Sequence, residues 1–174
     1  YCVDTWVSFP FSFKVTRQRT SKIGDYRFNQ KTGNHELTVN GNLNIYAFLI
    51  TFLHEVAHLI QYRKYQNNRP PHGIAWKNIF QELMAPVLNE GIFPPDVLKR
   101  LEIHMKNPKA SSQSDPELSK VLRQYDNPIP GENFYLEELK EGATFSLDGR
   151  VYTKIKKRRT RSLCSECKTG RKFL

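Results

Sequence analysis

The chain has 174 residues, 39% of them hydrophobic and 12% aromatic, enough for one good core with a small appendage. Its longest apolar run, Ile45 to Leu53, is interrupted by Tyr46 and Thr51 and ended by His54 and Glu55, which is too short for a membrane span. The formal net charge of +10 is lopsided: residues 1–149 hold 17 Lys and Arg against 16 Asp and Glu, whereas residues 150–174 hold 10 against 1.

The chain opens at Tyr1 rather than Met, so residues upstream are expected, and a cleaved signal among them stays open. Tyr1 to Val7 reads as the end of a helix. Phe9, Phe11, Phe13 and Val15 then alternate with Ser12, Lys14 and Thr16, the period of two of a strand with one buried face. Tyr26 and Phe28 repeat the pattern, Asn29 to Asn34 with Gly33 supply a turn, and Leu37 and Val39 form a third strand closed by Asn40 and Gly41. Together these predict a small antiparallel sheet.

A long helix is expected from the N-cap Asn44 to about Asn67 and Asn68, because Pro70 and Pro71 cannot continue it. It is apolar on nearly every face, yet it carries His54, Glu55 and His58 as H-E-x-x-H. Side chains four apart lie on one helix face, so both imidazoles reach one metal ion, and Glu55 stands one step round as a base for water. A carboxylate and two histidines inside an apolar helix are costly unless something satisfies them. The Pro-Pro-His-Gly turn doubles the chain back and offers His72 as a third ligand. His54, His58 and His72 plus an open position is how catalytic zinc is held.

A second helix follows, with Trp76, Ile79, Phe80 and Leu83 on its inner face, and a third begins after Pro94 and Pro95 and runs from Asp96 to Lys106. His35 and His104 have no partner at ligand spacing and read as surface residues. Residues 107–116, NPKASSQSDP, read as a linker or mobile loop. Glu117 to Tyr125 suits one more short helix. The rest is β-rich: Thr144 to Leu147, a turn at Asp148 and Gly149, a long segment from Val151 to Cys164, and a last turn at Thr169 and Gly170. The run from Lys154 to Arg161 lies in that long segment. Its cations, Lys154, Lys156, Lys157, Arg158, Arg159 and Arg161, repel one another and call for an anionic partner such as a phosphate backbone, or for full solvation. Tyr152 and Phe173 suit either base stacking or core packing. Cys164 and Cys167 are half of a zinc ribbon with no second pair, and read as strand or turn cysteines. With Cys2 they make three cysteines that cannot all pair, which favours a reducing, cytoplasmic compartment, nucleoid-associated in a bacterium.

The segment TFLHEVAHLI followed by PHGIAW, preceded by SKIGDYRFNQ and HELTVNG, resembles the SprT-like (Spartan-related) metalloprotease domain over roughly residues 1–85. The resemblance implies a small zincin fold, zinc on His54, His58 and His72, Glu55 as general base, and proteolysis of proteins crosslinked to DNA. The absence of a second Cys pair departs from the carboxy-terminal ribbon of many such proteins. The expected class is α+β: a zincin-like metalloprotease domain at 1–106, its antiparallel sheet packed on the H-E-x-x-H helix, a linker or mobile loop at 107–116, and a small basic β-rich region at 117–174. Three functions remain open at this stage: a zinc protease acting on DNA-bound protein, a DNA-binding or stress-response accessory protein with a structural or vestigial zinc site, and a zinc peptidase with no nucleic-acid role. The partners expected are a protein or peptide substrate and DNA, single-stranded or duplex, without a membrane. Oligomeric state is not legible.

Overall fold

Residues 10–66, 68–111, 114–126, 136–159 and 161–174 are described by a computed structural model, which has four α-helices and two sheets among them, an α+β architecture. Tyr1 to Phe9, with Cys2 and the expected helix end, lie outside the described residues. The chain divides into two compact units, 1–127 and 128–174.

The first unit begins with β1 (Ser12–Thr16), β2 (Gly24–Asn29) and β3 (Asn34–Asn40). Asn29 Oδ1 accepts from the N–H groups of Lys31 and Thr32, and Gly33 turns the hairpin with φ +69°. The sheet is mixed rather than antiparallel: its order is β1-β3-β2, with β1 parallel and β2 antiparallel to β3. The physical reason is burial. Leu37, Thr38, Val39 and Asn40 are all buried, so β3 takes the centre and the two more polar strands take the edges. Asn40 is also no mere turn residue. It is 1% exposed, its Nδ2 donates to Arg19 O and Lys22 O, and its Oδ1 accepts from Arg19 Nε, fastening the connection between β1 and β2. The expected one-sided face of β1 is only partly realised. Phe11 is buried and Phe13 packs edge-on to Phe52 at 5.3 Å, but Val15 is exposed on the outer strand.

Helix α1 (Ile45–Tyr65) is capped by Asn44, whose Oδ1 accepts from the N–H groups of Tyr46 and Ala47 at 3.1 and 2.9 Å. The same side chain donates through Nδ2 to Leu122 O and Asp126 Oδ1, so the cap also holds the end of the unit against the start of the helix. By length and composition α1 passes for a membrane span, but 61% of that window is buried inside the protein, as suits a central core helix.

Helices α2 (Ile74–Met84), α3 (Pro95–Met105) and α4 (Pro116–Arg123) complete the unit. Trp76, Phe80, Met84, Leu101, Leu118 and Leu122 join one core with the inner face of α1. Because Leu118 and Leu122 belong to that core, α4 lies in the first unit rather than with the basic tail. Residues 107–116 thus fall inside the first unit, where Pro116 opens α4 and Asn107 Oδ1 accepts from Lys77 Nζ at 2.6 Å.

The second unit is an antiparallel meander of β4 (Thr144–Leu147), β5 (Arg150–Lys157), β6 (Ser162–Glu166) and β7 (Lys172–Phe173). Asp148 and Gly149, with φ of +49° and +75°, make the tight turn between β4 and β5. The expected single segment from Val151 to Cys164 is two strands. Their register shifts between Lys154 and Lys156, and Arg158 N–H donates to Arg161 O across the intervening turn at 2.7 Å. Like charges separate more readily in a turn than along one strand.

Candidate metal centre

Helix α1 stacks His54 and His58 on one face, and the turn after it supplies His72. Their Nε2 atoms form a triangle with edges of 3.1 Å (His54 to His72), 3.2 Å (His54 to His58) and 2.9 Å (His58 to His72). Hydrogen bonds satisfy such a triangle poorly, because an N–H aimed at its centre misses both neighbours. A cation at the centre satisfies all three lone pairs at once. On a tetrahedral zinc with bonds of about 2.0–2.1 Å, ligand nitrogens lie roughly 3.3 Å apart, so the observed triangle fits that ion.

Protonation state agrees with ligation. Burial, followed by the neighbouring histidines, pushes His54 down to about 2 and His58 down to about 3, and burial lowers His72 as well. All three are therefore neutral at ordinary pH, the form that binds metal. Trp76, fully buried, lies behind all three, its ring 4.6 Å from that of His54, 5.4 Å from His58 and 4.7 Å from His72. It orients the imidazoles and keeps water from the rear of the site.

The third ligand is held at a conformational cost. His72 has φ +58°, a left-handed backbone that costs a non-glycine residue on the order of 1–3 kcal/mol and persists only where its surroundings impose it. Here they do. Gln61, buried on α1, donates through Nε2 to Pro70 O at 3.1 Å, and Gly73 N–H donates to the same oxygen. A Cβ at Gly73 would meet Pro70 Cγ at 2.9 Å, so only glycine lets the turn close this tightly.

Glu55 is 6% exposed beside the triangle. Burial, then the charge of Asp25, raises its pKa to about 8, while Arg19, Lys22 and a hydrogen bond from Tyr26 N–H pull it back. A metal dication nearby would lower it further. That hydrogen bond requires β2 to lie close to α1, and Gly24 makes the approach possible: a Cβ there would overlap Glu55 Oε1 and come within 2.6 Å of Thr51 Cγ2. Gly24, Asp25 and Tyr26 share with His54, Glu55, His58 and His72 a cavity of about 500 Å³.

Sequence reasoning missed several of these parts. An isolated glycine opening a strand does signal close backbone approach, and Gly24 was legible on that ground. Gln61 and Trp76 left no local sign of their tasks. Of the two remaining histidines, His35 is half-buried, and only His104 is not a surface residue. His35 hydrogen-bonds Tyr26 Oη through Nδ1 at 2.9 Å within an aromatic cluster that includes Phe28 and Tyr62, and His104 is buried, 4% exposed, in the wall of the metal-facing cavity.

The basic run is also corrected. Lys154 is 2% exposed, and its Nζ donates to the carbonyls of Leu136 and Leu139 at 2.7 Å each, so it is an internal brace of the second unit and not a surface cation. Lys156, Lys157, Arg158, Arg159 and Arg161 are exposed, and none has an ion-pair partner among the described residues. Cys164 is buried in β6 and Cys167 exposed just after it. Among the described residues no third ligand joins them.

Three histidines converging on one point, with a buried carboxylate alongside, form a cluster that could hold a metal ion. The model of the SprT-like family matches residues 5–122, and the chain belongs to that family. No curated protein and no solved structure matches it.

Proposed function

We propose that this protein is a zinc-dependent metallopeptidase with a zincin-like catalytic unit, and that it cleaves proteins associated with or crosslinked to DNA. The observation that carries the reading is the Nε2 triangle of His54, His58 and His72 with the Glu55 carboxylate beside it, all opening on one cavity.

A zinc ion bound there supplies a Lewis acid for the scissile carbonyl and water acidified toward a pKa of about 7. The protein does the rest. Among the described residues β2 ends the sheet, so its outer edge is open to an extended peptide, and Gly24 to Tyr26 bring that edge to the site. Glu55, aimed by Tyr26 N–H, accepts the proton of the attacking water and passes it to the leaving amine. Tyr62, packed against Tyr26 and Phe28, takes no part in the chemistry.

Metal removal tests this directly. The purified chain is expected to hold one zinc, to cleave casein or a histone, to lose both on chelation and to regain both on adding zinc back. A chain that cleaves equally well without metal would overturn the reading.

The five exposed cations at the end of β5 and in the connection to β6 are assigned to DNA phosphates, which favour Lys and Arg clusters by counterion release. Neutralising Lys156, Lys157, Arg158, Arg159 and Arg161 together should weaken DNA binding for every sequence tried. It should also flatten the salt dependence by about 0.9 for each phosphate that the variant no longer neutralises. Binding and salt slope unchanged in that variant would remove the hairpin from the interface.

A further inference from the structure

His104 is the buried titratable group in the cavity that the mechanism above leaves unused. Its Nδ1 lies 3.0 Å from Asp115 Oδ2, and Asp115 in turn caps α4 by accepting Leu118 N–H on Oδ1. A plain structural staple between α3 and α4 would account for that pair. It does not account for the other nitrogen. His104 Nε2 has no hydrogen-bond partner among the described residues, yet the sealed, partnerless polar side-chain atoms among those residues are Arg19 Nη2 and Trp76 Nε1 alone. His104 itself lines the cavity that holds His54, Glu55 and the edge of β2.

Resting on the metallopeptidase reading, we infer that His104 is a second catalytic residue: held by Asp115, it presents Nε2–H to the scissile carbonyl oxygen as negative charge develops there. Asp115 accepts the Nδ1 proton and fixes the ring's orientation; an imidazolium held in this place has a donor at both nitrogens. Glu55 handles the proton of water and cannot donate to an oxyanion as a carboxylate, so a donor on His104 would add to the Lewis acid that a bound zinc supplies at that oxygen. A buried donor fixed before the reaction strengthens as charge appears, because no solvent has to reorganise.

The test uses the full-length, zinc-loaded chain with two probes, a phosphinic peptide that mimics the tetrahedral geometry and the corresponding product peptide. His104→Gln should lower kcat about a hundredfold with KM little changed, and should weaken the phosphinic peptide by a similar factor. Product-peptide affinity, zinc stoichiometry and Tm should stay close to wild type. Asp115→Asn keeps a good helix cap while removing the carboxylate charge opposite Nδ1, and should weaken the phosphinic peptide by about tenfold. If His104→Gln loses both probes alike along with Tm, while Asp115→Asn binds both as wild type, the pair is only a staple and the proposal is wrong. Unchanged kcat and phosphinic affinity in His104→Gln would equally overturn it. Glu55→Gln separates the two levels. If wild type cleaves and Glu55→Gln does not, the peptidase reading stands and His104 is judged alone. If wild type neither cleaves nor binds the phosphinic peptide, both fall.

Discussion

Glu55→Gln is expected to lose peptide cleavage by a factor of about 10³, the middle of the range for a general acid–base group, while holding zinc as tightly as wild type. Glutamine matches the shape of glutamate and still accepts from Tyr26 N–H, so the three histidines and the β2 edge keep their places. What it lacks is a site for the water's proton. Zinc by metal analysis and cleavage of casein, measured on the same preparation, give the answer, and a variant that cuts as fast as wild type removes Glu55 from the mechanism. Stability should move the other way in the metal-free protein. The folded pKa of Glu55 is about 8 against an ordinary 4.5, mainly through burial, so the folded state favours the protonated carboxyl. Stability in wild type is thus lost as pH rises between those values, and a neutral glutamine does not share the loss. The Tm advantage of Glu55→Gln over wild type should therefore grow across that window, and zinc should shrink it by stabilising the carboxylate.

The parts of this site that the sequence discloses are the ones fixed by local geometry. His54 and His58 meet because a helix repeats every 3.6 residues, Asn44 announces itself as a cap, and Pro70, Pro71 and Gly73 force the turn that returns His72. What stays hidden depends on which distant surfaces meet. Three short alternating segments read equally well as a meander. Only the competition for the buried centre places β3 between the others, and that competition cannot be seen within any one segment. Lys154 looks like its neighbours in a basic run, but one residue of bulge at Ile155 lets it turn inward to two carbonyls while Lys156 stays out. His104 carries no sign of Asp115, eleven residues on, because the loop between them owes its path to the core residues Leu118 and Leu122. Charge patterning along the chain thus located a basic unit correctly in bulk while misassigning one of its members.

Gly24→Ala should be the most damaging change that removes no functional group. The added Cβ overlaps Glu55 Oε1 and approaches Thr51 Cγ2 at 2.6 Å, so either β2 must lift from α1 or the carboxyl must swing. Both break the Tyr26 N–H hydrogen bond that aims Glu55, and both move the strand edge on which a peptide would lie. A misplacement of about 1 Å at a reacting group costs on the order of a hundredfold, and cleavage should fall by at least that. Overpacking should cost about 1–3 kcal/mol of stability besides, visible as a lower Tm. The zinc content should not change, because none of the three ligands touches the new methyl. A second substitution separates the two effects. Thr51→Ser deletes Cγ2 but keeps the hydroxyl that donates to Ala47 O at 2.7 Å, so Gly24→Ala with Thr51→Ser should recover much of the Tm and little of the cleavage. Recovery of both together would mean that Gly24 matters only for packing. Loss of zinc in Gly24→Ala would mean that β2 supports the histidines as well as the base.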